Sequence, residues 1–196
     1  RVGSAAGSYR FFRGRAVSSV RSADAPRLVF ATGNAHKVAE LEAIIAPLLP
    51  EGAGRIGRMS DFDVAEPVED GASFEENSLI KARSLCAATG IAALADDSGL
   101  CVDIMGGAPG IFSARWSGAH GNDQANLELL LAQLSDVPLH LRGAAFVSAA
   151  ALVLPDGREF VELGRVDGHL TTAPQGEQGF GYDPIFVPSG MDRTAA

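Results

Sequence analysis

The chain has 196 residues, 46% of them hydrophobic and 20% charged, which is enough apolar material for one substantial core and the make-up of an ordinary globular domain. A formal net charge of -8 argues against a general nucleic-acid binder, because phosphate backbones are gripped by clustered Lys and Arg, yet a small anion held locally or through a metal stays open. No stretch approaches the ~20 consecutive apolar residues that cross a bilayer, and the two cysteines, Cys86 and Cys101, have neither zinc-ligand spacing nor the density of a disulfide framework, so the expectation is a soluble protein of the reducing cytoplasm.

Residues 1–26 are rich in Arg, Ser, Ala and Gly with a single acid and no apolar period, and read as a disordered leader or a non-native extension. Arg27–Thr32, "RLVFAT", reads as a buried strand, and Val38, Leu41, Ile44, Ile45 and Leu48 recur at helical spacing after it, in a helix that Pro47 should end. Ser73 with Glu76 three residues on is a capping-box signal for a second helix, which Gly90 is placed to stop, and a strand is expected over Ile91–Ala95. "GGAPGIFSARWSG" (106–118) reads as a loop, and Asn122 caps a third helix. The apolar run at 144–154, the turn "PDG" (155–157) and "REFVEL" (158–163) read as a hairpin. Strands interleaved with helices and ending in a hairpin give an α/β class with a mixed sheet.

Four stretches carry chemistry. In "ATGNAHK" (31–37) a strand passes into the first turn of a helix, where unpaired backbone N–H groups and the positive end of the dipole suit phosphate oxygens, with Thr32, Asn34 and Lys37 as further donors; a capped helix with an exposed lysine reads the same heptapeptide equally well. In "EDGASFEENSLIKAR" (69–83), Asn77 and Lys81 lie one turn apart on what reads as a solvated helix face, while Glu69 precedes the helix in its entering loop. In "ADDSGL" (95–100), Asp96 and Asp97 follow a strand and point to opposite sides. Two carboxylates there cost stability unless a donor or a hard cation such as Mg2+ compensates, and two solvated acids in a turn are the alternative. "GFGYDP" (179–184) sets aromatics among glycines, either to stack on a flat ligand or to plug the core.

Together "ATGNAHK", "FEENSLIKAR", "ADDSGL", "GGAPGIFSARWSG" and "GFGYDPIFVP", in this order and spacing over residues 27–196, resemble the inosine/xanthosine triphosphate pyrophosphatase (HAM1-like) family. The resemblance implies hydrolysis of dITP, ITP and XTP to the monophosphate and pyrophosphate, with Mg2+ and as a homodimer. The fold it implies is an elongated, two-lobed α/β fold around a long mixed sheet, with the active site in the cleft between lobes. By motif, Thr32, Gly33, Asn34, Ala35, His36 and Lys37 should hold phosphates, with Lys81 neutralising the triphosphate and Ser98 touching substrate. Glu69 and Asp97 should serve the metal with support from Asp96, and Asp97 should also take the proton. Phe180, Gly181, Tyr182 and Asp183 should line the base pocket. The resemblance further implies a Ser-His-Arg-Gly segment beyond Ala196 that contacts the base, which makes 27–196 a domain short at its C-terminal end. Two other readings stand beside the hydrolase: a truncated, catalytically silent nucleotide-binding module, and a Maf-like pyrophosphatase for other nucleotides.

Overall fold

The computed structural model describes residues 26–32, 35–48 and 56–196, without the side chains of Ala35 and His36. The leader reading, apart from Pro26, and the expected phosphate contacts Gly33 and Asn34 lie outside the described residues. Strand β1 (Leu28–Phe30) is shorter than the expected 27–32, with Val29 and Phe30 fully buried. Helix α1 (Ala35–Ile45) gives way to a single 3-10 turn, Ala46–Leu48, because Pro47 has no N–H to continue the α ladder. Strand β2 (Ile56–Arg58) follows, bound to α1 by a bidentate Arg58–Glu42 pair.

The capping signals were legible. Helix α2 (Phe74–Thr89) starts on Ser73, whose hydroxyl accepts the Glu76 N–H at 3.2 Å, and Glu76 Oε2 in turn accepts the Ala72 N–H at 2.7 Å, one residue further back than the usual box. It stops at Gly90 in the left-handed conformation (φ 64°), whose N–H donates to the Cys86 carbonyl.

The next strand departs from expectation. Instead of ending at Ala95, β3 runs from Ala92 to Val102, so "DDSG" lies inside a strand and not in a turn. Each of its polar residues has a partner on β4 (Gly143–Val153): Asp96 opposite Ala150, Asp97 opposite Ala149, Ser98 opposite Ser148. The expected loop at 106–118 contains a 3-10 helix, Gly110–Arg115, ahead of α3 (Asp123–Gln133), whose cap is Asn122. Strand β5 (Glu159–Leu170) extends well past the "REFVEL" arm, and β6 (Phe186–Pro188) pairs with its far end.

The sheet order is β2-β1-β3-β4-β5-β6, parallel across β2-β1-β3 and antiparallel from β3 onward, which makes a six-stranded mixed sheet among the described residues. Two cores hang on it. Val29, Ala82, Leu85, Ala93, Ala95 and Ala151 form the first, beneath α2; Leu100, Val102, Leu127, Leu130, Tyr182 and Phe186 form the second, beneath α3. Strand β3 serves both, through odd-numbered residues at its start and even-numbered ones at its end, so its buried face changes across residues 96–99. Its parallel partner β1 stops opposite Leu94, which leaves Asp96 and Asp97 just past the end of that neighbour. The open-sheet position beyond the carboxyl end of a parallel strand, at a switch in topology, is where α/β folds bind ligands.

Candidate active site

Strand alternation places the two acids on opposite faces of β3. Asp97 shares its side with Ala93 and Ala95 and meets α2, whereas Asp96 shares its side with Ser98 and meets α1. On the α1 side, Lys37 Nζ donates to Asp96 Oδ2 and to Ser98 Oγ, the latter at 2.9 Å. Asp96 Oδ1 is buried with no hydrogen-bond partner among the described residues.

On the α2 side, the expectation of a solvated helix face is overturned. Asn77 is 1% exposed and the Lys81 side chain 15%, because the first core's small residues, Ala82 among them, let α2 lie close on the sheet. Lys81 Nζ stands 3.4 Å from Asp97 Oδ1 and 3.4 Å from Glu69 Oε2, so one ammonium serves two carboxylates. The Asn77 amide donates to Asp97 Oδ2 at 3.2 Å. Burial holds the Asp97 carboxyl above its ordinary value, helped by the nearby Glu69 and opposed by Lys81 and Asn77.

Glu69 and Asp97 supply hard oxygen donors with one positive charge between them, a combination that fits Mg2+, which takes one or two carboxylates and fills its other positions with water and phosphate. Among the described residues no cluster of three or more His, Cys, Asp or Glu side chains is arranged to hold a metal, and Asp96 faces away toward Lys37.

A cavity of about 1130 Å³ joins these groups. Its walls include Thr32 and Lys37 at the end of β1 and the start of α1, then Lys81, Glu69, Asp96, Asp97 and Ser98, and at the other side Phe180, Gly181, Tyr182 and Asp183. The two aromatics of "GFGYDP" divide the roles that the sequence left open. Tyr182 is 4% exposed, belongs to the second core and donates its hydroxyl to the Ser113 carbonyl at 2.9 Å, while Phe180 is 44% exposed. Their loop is held by two acids: Asp183 Oδ2 accepts the Phe180 N–H at 2.9 Å and Asp123 Oδ2, from the start of α3, accepts the Gly181 N–H at 3.1 Å. Burial, with Glu40 and Asp123 nearby, lifts the Asp183 carboxyl above its usual range against the pull of that Phe180 N–H.

Three contributors were missed by sequence reasoning: Asn77, Asp123 and Ser113. Ser113 Oγ accepts the Leu100 N–H and donates to the Gly110 carbonyl, which binds the 3-10 helix to β3. A Cβ on Gly99 would collide with Gly110 O and Ser113 Oγ, so the glycine of "DDSG" is a close-approach residue. The signal for Asn77 was available, since an asparagine inside a helix is unfavourable unless its amide has work elsewhere.

The chain and its fold have close counterparts. The Ham1 family profile matches residues 28–196. A protein of Streptomyces avermitilis named dITP/XTP pyrophosphatase is 55% identical over 174 residues, covering 87% of this chain and 84% of its own. A Corynebacterium efficiens protein of the same name is 52% identical over 176 residues, with coverage of 87% and 85%. Among solved structures, the nucleoside-triphosphatase (dITP/XTP pyrophosphatase) of Mycobacterium abscessus superposes with a TM-score of 0.75 at 52% identity, covering 86% of each chain. A HAM1 protein from Coxiella burnetii superposes with a TM-score of 0.79 at 34% identity, covering 88% of this chain and 86% of that one. With a family profile spanning both cores and relatives above half identity, this chain belongs to the Ham1 family.

Proposed function

We propose that the chain hydrolyses non-standard purine nucleoside triphosphates, dITP, ITP and XTP, to the monophosphate and pyrophosphate. The observation that carries this reading is the Asp97 carboxylate, set between Lys81 and the Asn77 amide in a cavity that also reaches Lys37 and the open Phe180 ring. The naming of the S. avermitilis and C. efficiens relatives as dITP/XTP pyrophosphatases supports the substrate class.

Water is a poor nucleophile, and the Asp97 carboxylate, held in place by Lys81 and the Asn77 amide, is placed to act as its base. Asp97 orients a water and takes its proton as the water oxygen bonds the α-phosphorus and the bond from that phosphorus to the pyrophosphate oxygen breaks. Lys37 and Lys81 absorb the charge that grows on the departing pyrophosphate, so they act more strongly in the transition state than in the ground state. Glu69 and Asp97 would hold Mg2+, which would supply charge neutralisation on phosphate oxygens and lower the pKa of water. Phe180 stacks on the purine. The two cores are the lobes of the elongated fold and the cavity is the cleft between them. The apolar residues Phe160, Leu163 and Val166, exposed on β5, support a homodimer, and the two free cysteines support a reducing cytoplasm. Thr32 and Ser98 complete the phosphate end, where Asp96 holds the Lys37 ammonium.

The test is pyrophosphate release from dITP, ITP, XTP, dATP and dGTP with Mg2+, for the parent and for Asp97→Asn. Release from the first three, falling on the order of a hundredfold or more in the variant, is expected. Binding without release marks a silent module, and faster release from standard nucleotides marks a different specificity.

A further inference from the structure

Asn77 lies between two segments that both serve the site. Its Oδ1 accepts the Gly71 N–H at 2.9 Å, and its Nδ2 donates to Asp97 Oδ2 at 3.2 Å. The partners fix the amide's orientation, because a backbone N–H requires an acceptor and a carboxylate requires a donor. A buried amide must be satisfied, and here the two ends are satisfied by different parts of the chain: β3 on one side and, on the other, a loop in which residues 63–71 form no helix or strand. Glu69 is two residues before Gly71 on that loop.

A second observation comes from Gly71 itself. A Cβ built there would meet Asn77 Oδ1 and Glu76 Cβ, each at 2.7 Å, so the loop backbone is pressed onto α2 at a distance that glycine alone permits.

We propose that Asn77 is a positioning residue: its amide ties the loop carrying Glu69 to the Asp97 carboxylate, and so sets the spacing of the two acids about Lys81 before substrate arrives. This rests on the reading of Asp97 as the base and of Glu69 and Asp97 as the acids that serve the metal. Without the tether, Glu69 is held to the site through a lysine, a long side chain with rotamer freedom to lose, and the productive arrangement must be assembled at a cost in each turnover.

Asn77→Asp separates the two bonds. It keeps an acceptor for Gly71 but replaces the donor with a carboxylate facing Asp97. Gly71 should stay protected from amide hydrogen exchange, while kcat falls roughly ten- to a hundredfold, the range carried by one hydrogen bond to a charged group, and KM moves only a few-fold. Asn77→Ala should lose Gly71 protection as well as kcat. Gly71→Ala, which forces the loop off the helix, should lower kcat without altering any group that meets substrate. A Gly71 amide that exchanges at an unprotected rate in the parent overturns the proposal, as does Asn77→Asp or Gly71→Ala turning over like the parent per folded molecule. If Asn77→Ala does not fold, the parent's exchange rate and Gly71→Ala still decide. Protection of Gly71 in a parent that releases no pyrophosphate from dITP, lost in Asn77→Ala, supports the tether and sinks the functional reading instead.

Discussion

Replacing Lys81 with Met keeps most of the side chain's length and deletes its charge. The ammonium stands 3.4 Å from an oxygen of Asp97 and 3.4 Å from one of Glu69. At an effective dielectric constant near 20, each such contact is a gross attraction of about 5 kcal/mol. Most of this repays the desolvation of three charges, so the net loss on removing the lysine is about 2 kcal/mol, below the 3–5 kcal/mol of a fully buried pair because Glu69 retains contact with water. For a domain of this size that is a fall in Tm of about 4–8 °C. The assay is thermal unfolding with and without Mg2+. Two carboxylates left facing each other bind a divalent cation more readily, so added Mg2+ should raise the variant's midpoint by more than the parent's. Turnover of dITP should nonetheless stay low, because the ammonium that neutralises the leaving pyrophosphate is gone. A metal-free midpoint within a degree of the parent's refutes the estimate of the pair, and equal Mg2+ responses refute the assignment of these two acids to the ion.

The two aromatics of the base loop should separate in a paired experiment. Phe180→Ala should raise KM by about 5- to 150-fold, the value of one base stack at about 1–3 kcal/mol, with an unchanged melting point. Tyr182→Phe should do the reverse, losing about 1 kcal/mol and a few degrees of stability with its Ser113 hydrogen bond while kinetics hold; a swapped outcome reverses the two roles. The folded state keeps the Asp183 proton more tightly than the unfolded chain does, so this group costs stability as pH rises through the carboxylate range. Asp183→Asn retains an oxygen for the Phe180 N–H, and its midpoint relative to the parent should therefore rise as pH increases from about 4; a pH-independent difference counts against the burial argument.

What was legible in the sequence divides along physical lines. Local signals acted as read: the Ser73 cap, the left-handed Gly90, the Asn122 cap and the 155–157 turn each depend on a few neighbouring residues. Strand β3 was cut short because polar residues and a glycine usually end a strand, and nothing local reveals that Ala149 and Ala150, some fifty positions on, supply them with partners. For the same reason Asn77 and Lys81 passed for a wet helix face: their burial is imposed by a strand and a loop distant in sequence. The chemistry of the site was visible in residue types, and its internal wiring was a property of the fold.

The alternation of β3 also constrains how such a chain can diversify. Adding or removing one residue between Ala92 and Asp96 would turn every later side chain of the strand through half a rotation, bringing Asp97 round toward α1 and handing the places of Leu100 and Val102 to their neighbours. Substitution can vary this strand, but its residue count is locked. Among the described residues, the 116–122 turns that follow the 3-10 helix carry no bond to β3 like that of Ser113, so novelty in this lineage should arrive as spelling changes in the strand and as inserted text in that loop.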